Sequence, residues 1–287
     1  MFRHALVATD LSSASKRITE CAGQLRTLGC EAITLVHVEE VRYSVGLEES
    51  LAEADRPQLE AQAQALEAQG YRVDRQLRRG IAWHEILEAT REAGADLVMV
   101  ASHGRGSLAE TVLGGTAARV VESSPVPVLV LRLSLMEAEG GRYCSLRFAR
   151  VLDHVLHPTD FSEGARRAFA VLQGLAGRAG RITLLHVNAK GLWEHVAPEI
   201  PKEYADEDAS RLAELAEVLR DAGCPEVREE IAEGDPRKEI LARAAEEKVS
   251  LILMGTSGWG GLPELLLGST AHALVRRAGA PVLLVRG

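Results

Sequence analysis

The chain contains two similar copies of one sequence pattern, one after the other. The segment ATDLS at residues 8–12 returns as PTDFS at 158–162, and ITLVHV at 33–38 returns as ITLLHV at 182–187. The matching segments lie 150 and 149 residues apart. This spacing far exceeds the roughly 20 to 50 residues of solenoid repeats. Each copy is therefore expected to be a whole domain, produced by one duplication followed by small insertions or deletions.

The length of 287 residues agrees with two domains, each large enough to bury a core of its own. We place the first domain at 1–133, a linker containing Gly140-Gly141 at 134–148, and the second domain at 149–287. Apolar residues make up 46% of the chain and charged residues 26%, which is ordinary for a globular protein. No apolar run approaches the roughly 20 residues that span a bilayer, so we expect no membrane segment.

The net charge of −8 argues against a nucleic-acid partner. It is shared equally between the two copies, and no basic tract stands out against it. A phosphate backbone would be repelled at long range. Aromatic residues, at 4%, also provide few stacking platforms for single strands.

The four cysteines suggest a compartment. Cys21, Cys30, Cys144 and Cys224 form no CxxC motif, a pattern typical of free thiols in a reducing cytoplasm. The first residues run directly into a predicted strand, so no signal peptide is expected. The sequence therefore predicts a cytoplasmic protein.

Short apolar runs alternate with longer amphipathic ones in each copy. Predicted strands of the first copy are 5–8, 33–38, 72–77, 97–101 and 126–131, and its predicted helices are 13–28, 51–69, 83–93 and 116–122. Predicted strands of the second copy are 155–157, 182–187, 227–231, 251–254 and 282–285, and its helices are 165–176, 205–222, 238–247 and 270–277. This alternation predicts parallel strands with right-handed crossovers, and continuously apolar strands predict a sheet covered on both faces. Each copy is therefore expected to be an open, five-stranded α/β domain with helices on both faces.

One glycine pattern in the second copy points to a phosphate site. Gly255 and Gly258 follow an apolar strand, and after nine more residues Gly268-Ser269-Thr270 opens a helix. A Gly-Ser pair at a helix start offers unpaired N–H groups, a hydroxyl and the positive end of the helix dipole. Ligands of open α/β sheets bind beyond the carboxyl ends of the strands, where Asp160 would also lie. The alternative is that these glycines merely permit a tight turn from strand to helix.

The order of these features resembles the universal stress protein family. The resemblance rests on the motif G-x2-G-x9-G-[ST] after an apolar strand, an aspartate after the first strand and a closing PVLLV strand. It covers nearly the whole chain as two tandem domains. It implies a Rossmann-like sheet of order 3-2-1-4-5, with ATP between strands one and four in the nucleotide-binding members.

The resemblance also implies a set of site residues. The adenine would lie near Pro158, Thr159 and Val187, and Asp160 would face the ribose. The ribose and phosphates would be surrounded by Met254, Gly255, Gly258, Gly268, Ser269 and Thr270. The ligand is expected to be ATP, with ADP or AMP as alternatives, and any Mg²⁺ is expected to be held by the phosphates.

The first copy departs from this motif. Ala101 stands at the first glycine, and Gly115 stands where a serine or threonine is expected. The missing hydroxyl removes a hydrogen bond to a charged group, worth about 1.5–3 kcal/mol. We therefore expect the second copy to be the principal nucleotide site. The weaker candidates in the first copy are Thr9, Asp10, Val38, His103, Gly104, Gly114 and Thr116.

Other motifs carry less weight. Residues 104–109 match a dinucleotide fingerprint, G-x-G-x-x-A, but follow the fourth strand and lack the required acidic residue, which argues against NAD. The chain contains no Walker A motif and no G-x-S-x-G elbow. His37 and His186 occupy equivalent strand ends and are expected to be structural. Asp10 is equally well explained as the cap of the first helix, for which Ser12 is the other candidate.

Three functional classes remain open from the sequence. The favoured one is a regulatory protein of the stress response that binds ATP as a conformational ligand and acts through an unknown protein partner. The second is a slow ATPase, although no dedicated general base is evident. The third is an interaction module whose nucleotide sites are vestigial.

The fifth strands suggest how the copies assemble. Val126–Leu131 and Val282–Val285 are apolar, and an exposed edge of that kind invites aggregation. We expect the two copies to meet through these strands as an intrachain pseudo-dimer, with a further homodimer as a second possibility.

Overall fold

A computed structural model describes residues 1–40, 48–102, 113–132, 148–188, 202–258 and 267–286. The chain divides into two compact units, Met1–Arg150 and Val151–Gly287, called here the first and second unit. The predicted linker, 134–148, lies outside the described residues except for Phe148. Within the described residues, no helix is both long and apolar enough to cross a bilayer.

The first unit alternates strands and helices. Its strands are β1 (His4–Thr9), β2 (Ala32–Glu39), β3 (Arg72–Arg79), β4 (Leu97–Ala101) and β5 (Val128–Leu131). Its helices are α1 (Ser13–Ala22), α2 (Glu48–Glu67), α3 (Ala82–Ala93) and α4 (Gly115–Ser123).

The second unit repeats this order. Its strands are β6 (His154–Thr159), β7 (Arg181–Asn188), β8 (Val227–Glu233), β9 (Leu251–Gly255) and β10 (Val282–Val285). Its helices are α5 (Glu163–Leu175), α6 (Lys202–Asp221), α7 (Pro236–Glu246) and α8 (Ser269–Arg277).

The strand order within each unit confirms the predicted fold class. It is β3-β2-β1-β4-β5 in the first unit and β8-β7-β6-β9-β10 in the second, and all of the pairs along these orders are parallel. The central strands are buried on both faces, as β9 illustrates along its whole length. The outer strands β3 and β8 are half-exposed. The order reverses between the first and fourth strands of each unit, which is where open α/β sheets bind ligands.

The first helix is shorter than its amphipathic pattern predicts. The α-helix ends at Ala22, and Leu25–Leu28 forms a separate 3₁₀-helix. Gly23 is the C-cap of α1, and a side chain there would meet the carboxamide of Gln69. Glycine also weakens a helix. The α-helix therefore ends before Gly23, although the helical spacing of apolar residues continues beyond it in the sequence.

The expectation that all four cysteines are free thiols is wrong for Cys21, which is disulfide-bonded. Cys30 and Cys224 are free and buried, and burial raises the pKa of the Cys30 thiol to about 12. Both are therefore poor nucleophiles. Disulfides are rare in reducing compartments, so the cysteines no longer support a cytoplasmic location, which stays a prediction.

Candidate functional site

A cavity of about 280 Å³ lies at the carboxyl ends of β6 and β9 in the second unit. Every site residue that the sequence suggested for the second copy lines it: Pro158, Thr159, Asp160, Val187, Met254, Gly255, Gly258, Gly268, Ser269 and Thr270. These residues come from four separate stretches of the chain. The fold therefore places in one cavity ten residues that only the family resemblance had grouped as a site.

Asp160 is directed by a tight turn between β6 and α5. The turn contains Phe161, whose φ of 59° is unusual for a bulky residue. Two hydrogen bonds hold it, from the Phe161 N–H to Thr159 Oγ1 at 3.1 Å and from the Ser162 N–H to Asp160 Oδ1 at 3.0 Å. The Phe161 ring also packs on the His186 ring, with centroids 4.8 Å apart. A strained residue held by this many contacts is characteristic of functional sites.

The opposite wall of the cavity is the N-terminus of α8. Its N-cap is Gly268, which provides no side chain to accept from the first helical N–H groups. By contrast, α5 and α7, which also border the cavity, are capped by the side chains of Ser162 and Asp235. The first N–H groups of a helix have no partner within the helix itself. The start of α8 therefore presents donors and a positive dipole end to an anion.

The glycines of the motif are required by contacts within the unit. A Cβ on Gly255 would lie 2.7 Å from the carbonyl carbon of Gly164, and one on Gly268 would lie 3.0 Å from the Thr256 carbonyl oxygen. A Cβ on Gly258 would lie closer than 3.0 Å to Asp160 Oδ2. A side chain at Gly255 would therefore point at α5 and not at a ligand in the cavity. The glycines shape the loop, and the loop shapes the cavity.

Part of the cavity lining is apolar. Seven of the lining residues were not predicted from the sequence: Ala165, Leu185, Pro236, Ile240, Thr256, Ser257 and Ala271. Two signals could have found some of them. Leu185 and Val187 are two apart on one strand and share a face. Pro236 and Ile240 are four apart on α7 and share a face of that helix.

The cavity carries little charge. Of the described residues that line it, Asp160 is the sole charged one. The nine residues between Gly258 and Gly268, WGGLPELLL, contain one glutamate and no lysine or arginine. An anion in this cavity would therefore depend on N–H groups and hydroxyls for its binding.

The first unit keeps the same elements at the corresponding positions. Thr9 ends β1, and Asp10 Oδ1 accepts from the Ser12 N–H at 3.0 Å. Ser12, and not Asp10, is the N-cap of α1, so the reading of Asp10 as the cap is wrong. Val38 lies near the end of β2, Gly114 is the N-cap of α4, and Thr116 lies in its first turn. His103 and Gly104 lie outside the described residues.

His37 and His186 make equivalent structural contacts. His37 Nδ1 donates to the Thr9 carbonyl at 2.8 Å, and His186 Nδ1 donates to the Thr159 carbonyl at 2.9 Å. Each Nε2 faces a carboxylate, Asp55 at 3.2 Å and Asp208 at 3.5 Å. These contacts support the structural role expected for both histidines.

Comparison with known proteins gives the same pattern in both halves. The model of the universal stress protein family matches residues 1–132 and 152–286. The chain is 26% identical to a universal stress protein of Mycolicibacterium smegmatis, over 98% of this chain and 96% of that one. It is 35% identical to a universal stress protein of Thermus aquaticus over 46% of this chain and 97% of that shorter protein.

A solved structure agrees over the full length. The crystal structure of a universal stress protein from Archaeoglobus fulgidus covers 99% of this chain, with 98% of its own chain aligned, a TM-score of 0.77 and 25% identity. The family match to each half also agrees with the strand order that the two units share. The chain therefore belongs to the universal stress protein family and carries two tandem domains of it.

Proposed function

We propose that the second unit binds an adenine nucleotide as a regulatory ligand in the response to stress. ATP is the favoured ligand, with ADP and AMP as alternatives. The observation that carries the proposal is the cavity at the ends of β6 and β9, which gathers ten suggested site residues around an uncapped helix N-terminus. Family membership agrees with this proposal, since the family includes nucleotide-binding members.

The cavity lining suits both parts of a nucleotide. Its apolar residues suit a planar base: Leu185, Val187, Pro236, Ile240 and Met254. The start of α8, with the hydroxyls of Ser269 and Thr270, suits phosphate oxygens. Asp160 stands in the wall as a hydrogen-bond acceptor for ribose hydroxyls. The volume of about 280 Å³ is close to the lower end of small-molecule pockets, roughly 300–1,000 Å³.

A magnesium ion in this site would be held mainly by the nucleotide. The described residues contain no group of three or more histidine, cysteine, aspartate or glutamate side chains arranged to bind a metal. Mg²⁺ commonly binds through phosphates and one or two carboxylates. Among the described residues that line the cavity, Asp160 is the carboxylate that could reach such a complex.

The experiment that tests the proposal is mass spectrometry of small molecules released from the purified, denatured protein, followed by calorimetric titration with ATP, ADP and AMP. We expect an adenine nucleotide to be released, or to bind stoichiometrically to the second unit. A chain that releases none and binds none would instead be an interaction module. Phosphate release under single-turnover conditions separates a ligand-binding protein from a slow ATPase.

A further inference from the structure

Two glycines from separate elements face each other in the second unit. Gly164 is the second residue of α5, and Gly255 is the last residue of β9. A Cβ on Gly255 would lie 2.7 Å from both the carbonyl carbon and the carbonyl oxygen of Gly164. A Cβ on Gly164 would lie closer than 3.0 Å to the carbonyl oxygen of Ser257. Real Cβ atoms essentially never come this close to backbone, so a methyl group at either position forces α5 and the loop after β9 apart.

The first unit has alanine at both corresponding positions. Ser12 and Ser162 are the N-caps of α1 and α5, so Ala14 corresponds to Gly164. Likewise β4 ends at Ala101 where β9 ends at Gly255. These two positions are far apart in sequence, yet at both of them the second unit has glycine where the first unit has alanine.

The contact between the glycines continues to the wall of the cavity. Ser257, whose carbonyl lies against Gly164, lines the cavity and precedes Gly258. Gly258 in turn lies against the carboxylate of Asp160. A shift of Ser257 away from α5 therefore moves both Gly258 and the position available to Asp160.

Helix energetics argue that Gly164 serves packing. Alanine is a better helix former than glycine, so a glycine near the start of α5 weakens the helix. Its presence there must have another reason. The approach of the Ser257 carbonyl supplies that requirement. Overpacking such a contact is destabilising and displaces backbone.

We infer that Gly164 is a positioning residue for the nucleotide, and that the pair Gly164 and Gly255 makes the second unit the one competent to bind it. This inference rests on the proposed function and adds to it a residue outside the glycine motif. Gly164 acts through Ser257 and Gly258, which it allows to lie close to α5. The first unit carries alanine at both of these positions, Ala14 and Ala101.

The test is calorimetric titration of ATP into the full-length chain and four variants, namely Gly164→Ala, Gly255→Ala, the double variant and Gly279→Ala, with unfolding followed by circular dichroism without nucleotide. In Gly164→Ala we expect the Kd for ATP to rise about fivefold or more, which corresponds to the low end of what overpacking costs. Gly279→Ala is the matched control, because a Cβ at Gly279 meets nothing within 4 Å. Its Kd should equal that of the unmodified chain.

The double variant Gly164→Ala/Gly255→Ala guards against misfolding. The first unit folds with alanine at both positions, so this variant is expected to keep a cooperative unfolding transition while binding ATP weakly. Its loss of affinity should be smaller than the product of the two single losses, because both methyl groups force the same separation. Unchanged ATP affinity in a folded Gly164→Ala chain would overturn this inference and leave the proposed function in place. Failure of the unmodified chain to bind any adenine nucleotide would overturn the proposed function as well.

Discussion

In the second unit, the imidazole of His157 donates a hydrogen bond to the carbonyl of Leu253. The Nδ1 to oxygen distance is 2.8 Å, and both groups are buried. Extending the parallel pairing of β6 with β9, this carbonyl faces the backbone nitrogen of Pro158. Proline has no N–H to give, so the side chain of His157 replaces the missing ladder bond.

The first unit supplies the alternative arrangement. Val7 and Ala8 correspond to His157 and Pro158, and Ala8 has a backbone N–H of its own. We therefore predict that His157→Val lowers the free energy of unfolding by about 1–3 kcal/mol, the cost of a buried carbonyl left unpaired. His157→Val/Pro158→Ala should recover part of that loss. Urea unfolding of the four chains in this cycle measures the coupling, and an effect of Pro158→Ala that is the same in both backgrounds would contradict it.

The pH dependence of stability should follow His157. Burial lowers its pKa from 6.5 to about 4, and Nε2 has no hydrogen-bond partner within the described residues. Between about pH 4 and 6.5 the unfolded chain binds a proton that the folded chain does not. The free energy of unfolding therefore falls as the pH drops through this range, by up to about 1.4 kcal/mol per unit.

The measurement is urea unfolding of the wild-type chain and of His157→Val/Pro158→Ala at several pH values. Carboxylates titrate in the same range, so the informative quantity is the difference between the two chains. That difference should change between pH 6.5 and 4 and stay constant above pH 7. Parallel curves throughout would show that His157 takes up its proton equally in both states.

The Gly258 position offers a direct test of the cavity. In Gly258→Asp the new side chain must displace the Asp160 carboxylate, which lies against the position of its Cβ. It also adds a second negative charge where phosphates are proposed to bind. We predict that nucleotide binding is lost, as measured by calorimetry. Gly279→Asp makes the same chemical change in open space and should bind normally.

The same change can be made in the first unit, at Gly104. If Gly104→Asp removed the bound nucleotide while Gly258→Asp left it in place, the principal site would be assigned to the wrong unit. Loss in both variants would indicate that the units bind cooperatively.

Local patterns were enough to predict much of the fold. The strand Leu97–Ala101 begins and ends where its apolar run does. A strand buried on both faces is a continuous apolar run, so the limits of the run predict the limits of the strand. The strands β1 and β6 extend beyond their apolar segments to Thr9 and Thr159, since pairing with β2 and β7 continues there. Neighbouring strands, and not local sequence, decide those ends.

The site could be predicted only in part. The motif glycines were visible in the sequence, but their physical role was not, because Gly255 is explained by Gly164, a residue 91 positions away that no local pattern connects to it. Pro236 and Ile240 were missed for a related reason. Their helix shows which face is apolar but not that this face closes over the ends of β7 and β9.

The low charge of the cavity leads to a prediction about phosphate number. No lysine or arginine among the described residues lines it, and Asp160 opposes additional negative charge. Each further phosphate therefore gains N–H and hydroxyl contacts but no ion pair. We predict that the Kd values of AMP, ADP and ATP without Mg²⁺ differ by no more than about a hundredfold, since a hydrogen bond to a charged group is worth about 1.5–3 kcal/mol and Asp160 opposes each added charge. A preference for ATP of several hundredfold in calorimetry would mean that a cation reaches the phosphates.

Turnover of ATP should be absent or well below the median enzyme rate of about 10 per second. A general base must lie within hydrogen-bond reach of the attacking water, and Asp160 is the one candidate that lines the cavity among the described residues. One of its oxygens accepts from the Ser162 N–H, and the other lies against Gly258. Asp160→Asn should therefore weaken nucleotide binding while changing phosphate release little. Hydrolysis at ordinary enzyme rates that disappears in Asp160→Asn, measured by phosphate release under single-turnover conditions, would make this protein an ATPase and Asp160 its base.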